Sequence, residues 1–241
     1  MKHVERYLAG VFMISVFFVL IISSVEIAVY TDYGFFEKEY KKYDVNNPKG
    51  IVNMEMDELI SVTKNMMQYL RGNRENLDII ATIDGEEKEF FNTREKSHMA
   101  DVRDLFVGAL KVRWFAVGMA TLALLSLMML LYWDDIKVLL FRAYIATLLG
   151  LVGVIAALGI WAFIDFTGLF YKFHALFFSD YEWILDTSTS RLINILPEGF
   201  FVDTAIRIVV IFILITLIMG AVLLFVKNVN IRKRNLGGTY E

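Results

Sequence analysis

Cysteine is absent from the 241 residues of this chain. That absence excludes disulfides, thiolate metal ligands, a cysteine nucleophile and lipid attachment to a cysteine of its own. Histidine is scarce: His3, His98 and His174 are the whole complement. There is no Gly-rich phosphate loop, no G-x-S-x-G elbow and no H-E-x-x-H pair. Nucleotide-driven transport and standard serine-hydrolase or zincin chemistry are thereby disfavoured. A net charge of −3 gives no reason to expect nucleic acid as a partner. Internal repeats, low-complexity tracts and linkers are also missing.

What the chain does have is apolar length. Hydrophobic residues make up 57% of it, and its mean hydropathy of +0.53 lies above the soluble range. Charged residues still account for 21%, and they cluster, a pattern of membrane spans separated by polar segments. A bilayer-crossing helix needs roughly 20 mostly apolar residues, with about 17 tolerated. Leu8–Val25 is uncharged for 18 residues and continues past Glu26 to Tyr30. Trp114–Trp133 supplies 20, Ala143–Ile164 supplies 22 and Ile208–Val226 supplies 19. A signal peptide is the other reading of the first run. Its apolar stretch runs on through Ile27–Tyr30 without a small-residue cleavage pattern, so an uncleaved helix is expected.

These runs predict a mainly α integral membrane protein with four transmembrane helices, at about 8–30, 112–133, 138–164 and 204–226. A mixed α/β extracytoplasmic insertion, 31–111, separates the first two, and an aromatic-rich outer segment, 165–203, separates the last two. Residues 1–241 are read as one membrane-embedded domain. Lys2 and Arg6 in one tail, Lys227, Arg232, Lys233 and Arg234 in the other, and Lys137 and Arg142 in the short loop are expected to face the cytoplasm. Lys111 and Arg113 run against that rule. The expected location is a bacterial cell membrane, with both termini cytoplasmic and the site at the extracytoplasmic face.

Within the insertion, Leu59, Val62, Met66 and Leu70 recur at helical steps and predict an amphipathic helix over Met56–Arg71. "DIIATIDGEEKEFF" predicts a hairpin turning at Asp84–Gly85. Asn92 and Glu95 have capping-box spacing, so a helix is expected to start there and run into the second span. On it Arg94, His98, Asp101 and Leu105 share a face. In the later outer segment Phe170, His174 and Phe177 are at helical spacing, Ser179 is a candidate cap and Pro197 the expected first residue of the last helix.

His98 and His174 are thus the only histidines in the outer segments. The plain reading of His174 is interfacial packing, and that of His98 a solvated position beside Asp101. Metal binding by His98, Asp101 and His174 would offer too few soft ligands to be specific. Acid–base work suits a pair of imidazoles better, because the unperturbed pKa of about 6.5 lets each accept or donate a proton near neutrality.

"FFNTREKSHMADVRDLF" followed by "FHALFFSDYEWILDTSTSRLINILPEGFF", flanked by four spans, resembles the lipoprotein intramolecular transacylases of low-GC Gram-positive bacteria. The resemblance covers essentially the whole chain. One departure is Thr187, where the family pattern commonly has a proline after "WILD". The resemblance implies transfer of the sn-2 acyl chain of a diacylglyceryl lipoprotein to the α-amino group of its N-terminal cysteine, giving the lyso form. It implies a diacylated lipoprotein and membrane lipid as partners, and no nucleotide. The family's two functional histidines match His98 in "SHM" and His174 in "FHALFF". Exchange of an ester for an amide runs downhill, so no cofactor is expected. Arg94 either stabilises an oxyanion or pairs with Asp101, which in turn supports His98. A metal-assisted membrane lipid hydrolase and a non-catalytic membrane protein are the competing readings.

Overall fold

A computed structural model describes residues 2–178 and 183–237. Four of its helices are long and apolar enough to cross a membrane. In chain order they are α1 (Lys2–Tyr30), α4 (Thr93–Leu130), α5 (Trp133–Ile164) and α8 (Glu198–Gly237). Between α1 and α4 lie α2 (Gly34–Lys42), α3 (Met56–Leu70) and strands β1 (Ile80–Ile83) and β2 (Glu86–Glu89). Between α5 and α8 lie α6 (Phe166–Phe177) and α7 (Arg191–Ile195). The protein is therefore mainly helical, with one two-stranded sheet among the described residues.

Contacts divide the chain into two compact units. One gathers Met1–Ser24, Lys111–Ile164 and Val209–Glu241. Its core is built from Ala9, Met13, Phe17, Leu127, Ile136, Leu140, Tyr144 and Phe212. Phe17 stacks on Tyr144 with ring centroids 5.9 Å apart, and the Tyr144 hydroxyl donates to the Thr216 carbonyl at 2.9 Å. Gly220 makes that approach feasible, because a Cβ there would lie 2.5 Å from the Tyr144 hydroxyl oxygen. Large side chains such as Met129 and Phe163 point outward, as expected of helices whose solvent is lipid.

The other unit, Val25–Leu110 with Asp165–Ile208, follows the rules of a water-soluble domain over much of its length. In α3 the predicted positions Leu59, Val62, Met66 and Leu70 are all buried, each contributing about 1.5–3 kcal/mol. Thr63, on the same face, bonds Tyr40 across to α2 at 2.8 Å. The hairpin pairs Ile80 with Glu89 and Ile83 with Glu86. Its two turn residues, Asp84 and Gly85, have φ of 56° and 78°, the left-handed pair that a two-residue turn needs to match strand twist. Ala81 and Ile83 face the core while Ile80 and Thr82 do not. Glu26, the one charge inside the first apolar stretch, pairs with Arg71 at 3.1 Å, and that pairing offsets its burial cost.

One boundary departs from the sequence reading. The last helix begins at Glu198, with Pro197 just before it accepting from the Phe200 amide at 2.9 Å. At Asp165 the helix is interrupted, separating α5 from α6; the Asp165 carboxylate caps the new helix by accepting from the Gly168 amide at 2.8 Å. Ser179, expected as a cap, lies outside the described residues.

Candidate active site

The site is assembled at the start of α4. Asn92 and Glu95 form the predicted reciprocal box: the Glu95 amide donates to Asn92 Oδ1 at 2.9 Å, and the Asn92 amide donates to Glu95 Oε2 at 2.7 Å. Glu95 then does something its spacing did not announce. Its carboxylate is fully buried and Oε1 accepts from the Ser190 hydroxyl at 2.5 Å and the Leu192 amide at 2.7 Å. Ser190 is itself the N-cap of α7. One carboxylate therefore joins the first turn of α4 to the first turn of α7, with donors enough to replace its lost hydration. Arg191 adds a second tie, donating to the carbonyls of Glu89 and Phe90 at 3.3 and 3.1 Å.

One turn beyond Glu95 stands His98, 7% exposed, and from α6 comes His174, 8% exposed. Their ring centroids are 5.9 Å apart with planes 35° from parallel. That separation brings together two groups able to accept or donate a proton near neutrality. Phe178 touches both rings, at 5.2 Å from His98 and 5.4 Å from His174. Phe170 lies 4.1 Å from His174 on one side and Trp183 5.0 Å on another, while Phe173 stands edge-on at 5.5 Å. Phe201, from α8, backs Phe170 at 5.3 Å.

The chemistry of His174 follows from this enclosure. Its Nδ1 is 2.8 Å from the Phe170 carbonyl. A carbonyl only accepts, so Nδ1 carries the proton and Nε2 keeps its lone pair. Burial among aromatic rings lowers the pKa below the ordinary histidine value, against a smaller opposing effect of the Phe170 carbonyl bond. His174 is therefore neutral at physiological pH, with a proton acceptor of defined direction.

Of the residues singled out in the sequence, the fold brings His98 and His174 together. Arg94 is exposed four residues before His98, and Asp101 is half-buried three residues after it. Among the described residues no three His, Asp or Glu side chains gather as a group that could hold a metal ion. Phe177, expected on the His174 face, is exposed and packs on Phe173 at 4.8 Å. The helix stops there, and the extended backbone of Phe178, at φ −122° and ψ 121°, turns that ring inward in its place. Trp183, Phe178 and the second half of the Glu95 bridge were not read from the sequence.

A model of the lipoprotein intramolecular transacylase family matches residues 10–201. No protein of curated function matches the sequence. Among solved structures, the chain is similar to the membrane integral lipoprotein intramolecular transacylase Lit from Bacillus cereus. The TM-score is 0.71 at 19% identity, covering 98% of this chain and all of the other. Two further structures of that Bacillus cereus protein, each with one histidine replaced, by alanine in one and arginine in the other, match with TM-scores of 0.69 at 19% identity. They cover 98% and 95% of this chain, and 97% and 96% of those chains.

Proposed function

We infer the reaction from one premise: the chain belongs to the lipoprotein intramolecular transacylase family, and is an acyltransferase of the membrane. We propose that it moves the sn-2 acyl chain of a diacylated lipoprotein to the α-amino group of the N-terminal cysteine, and that His98 and His174 carry the protons. The observation that carries this reading is the meeting of two buried imidazoles from separate segments, one with its Nε2 lone pair available.

An α-amine has a pKa of about 7.7–8.0, so roughly a tenth to a fifth is neutral at pH 7. The neutral amine attacks the ester carbonyl carbon, and the C–N bond forms as Nε2 of His174 takes the amine proton. The intermediate collapses by breaking the bond from the carbonyl carbon to the sn-2 glyceryl oxygen. That oxygen leaves as an alcohol, taking the proton back from the imidazole. His98 shares this proton or polarises the carbonyl. Donor ester and acceptor amine belong to one molecule, so proximity supplies much of the rate. Both termini lie on the cytoplasmic side in this reading, with the dyad at the outer face.

The test is expression in a host whose diacyl lipoproteins have free N-termini, followed by mass spectrometry of the N-terminal peptide. The expected product has unchanged total mass, with one chain on nitrogen. Loss of one acyl chain from the total mass would instead mark hydrolysis.

The rate should also depend on pH in a defined direction. Burial lowers the pKa of His174, so the base is disabled only as pH falls below the ordinary histidine range near 6.5. On the alkaline side the rate should rise until the substrate amine is mostly neutral, near pH 8. The same shift affects folding: the unfolded chain binds the proton first, so stability from this group is complete above about 6.5 and declines as pH falls through the folded value. The profile of log kcat/KM against pH should therefore steepen a second time, below the limb set by the substrate amine and below the ordinary histidine value; a second steepening already at or above about pH 6.5 would contradict the assignment of His174 as base.

A further inference from the structure

Helix α6 breaks the burial rule that α3, in the same unit, obeys. Among its side chains only His174 is buried. Tyr171, Phe173, Leu176 and Phe177 are between 44% and 77% exposed. An amphipathic helix packed on a water-soluble domain hides its apolar stripe and presents its polar one. Here the titratable ring faces the protein and the large apolar side chains face outward. Lone exposed apolar residues need no explanation, but three of these, Phe173, Leu176 and Phe177, fall within about 100° of arc on one short helix and form a face that does.

We propose that this outward face of α6 is immersed in the hydrocarbon edge of a lipid leaflet, as a membrane-docking helix that brings lipid to the back of the histidine site. Three observations select lipid as the occupant. The helix starts two residues after Ile164, the end of a membrane-crossing helix, so the covalent chain enters α6 from the bilayer. Its 12 residues reach about 18 Å, too short to cross the roughly 30 Å hydrocarbon core and suited to lying along its boundary. No carboxylate occurs in Phe166–Phe177, and its one long-chain cation, Lys172, is exposed, with an aliphatic stem that can snorkel to headgroup phosphates. The proposal rests on the membrane fold and not on acyl transfer, and its test does not use activity.

The natural absence of cysteine allows single labelling sites without prior mutagenesis. The full-length protein carrying Leu176→Cys, and separately Phe177→Cys, would be spin-labelled and placed in phosphatidylcholine–phosphatidylglycerol vesicles. Met129→Cys serves as the lipid-facing reference and Glu87→Cys, exposed on β2, as the aqueous one. Collision rates with oxygen and with a water-soluble nickel chelate are then compared. The expected result is that both α6 labels follow Met129, with the oxygen-to-nickel ratio at least about tenfold above that at Glu87. A ratio like that of Glu87 places the face in water and overturns the proposal. Shielding from both reagents, with dipolar broadening between labels, assigns the face to a second copy of the chain and overturns it equally.

Discussion

His174→Ala ends acyl transfer, and His98→Ala does the same. General acid–base catalysis is worth about 10² to 10⁴ in rate, so each variant should fall at least 100-fold below the parent in yield of N-acylated peptide, by the mass assay above. The two changes should not multiply. Residues that pass one proton act as a unit, and the double variant should lie within a few-fold of the slower single one. Both rings are buried; removing His174 leaves a void among Phe170, Phe178 and Trp183, and removing His98 leaves one beside Phe178. Elution as a monodisperse species and an unchanged unfolding midpoint, within a few degrees, are needed to read the loss as chemistry. Free imidazole adds a sharper measure. It fits the space vacated in His174→Ala and should restore part of the rate in proportion to its concentration. Near-parental activity in either single variant would refute the dyad.

Glu95→Ala should be the most damaging substitution that touches no proposed catalytic atom. The carboxylate accepts from the amides of Asn92 and Leu192 and from the Ser190 hydroxyl. Its removal leaves the Ser190 hydroxyl and the Leu192 amide, both in buried residues, without that acceptor, at about 1–3 kcal/mol for each unsatisfied group, while the amide of exposed Asn92 can turn to water. A loss of about 2 kcal/mol or more is expected, read from the denaturation midpoint of the protein. Because His98 sits one turn along from the bridge, turnover should fall together with stability. Glu95→Gln keeps two acceptor lone pairs on one oxygen and should recover more than half of the lost stability. If Glu95→Ala unfolds at the parental midpoint, the α4–α7 bridge does not hold the site.

The origins of these two effects differ. The helix carrying His98 was foreseeable from Asn92 and Glu95, because a capping box is a local device spanning one turn. The partners that make Glu95 costly to lose, Ser190 and Leu192, lie about a hundred residues away, and nothing in the spacing of either segment signals the other. The histidines followed the same pattern. Each alone permitted a plain packing or solvation reading; being the two histidines of the outer segments suggested them as a pair, and the resemblance of both motifs to one family sharpened that reading. The direction of the His174 proton needed the Phe170 carbonyl, which depends on where α6 begins and which way its ring turns.

Sequence alone determined the elements whose physics is local. Apolar runs near 20 residues are demanded by a solvent that cannot bond the backbone, so four spans could be counted. The period of Leu59, Val62, Met66 and Leu70 announced α3, and Asp84–Gly85 announced a turn that needs left-handed backbone. Tertiary structure decided which distant surfaces meet: His98 against His174, Glu95 against α7, Phe178 turned inward where Phe177 was expected. It also decided that α6 hides its histidine and shows its aromatics. Periodicity records which residues share a face; what lies opposite that face is settled when the chain closes on itself, by burial and hydrogen bonding between segments that carry no common period.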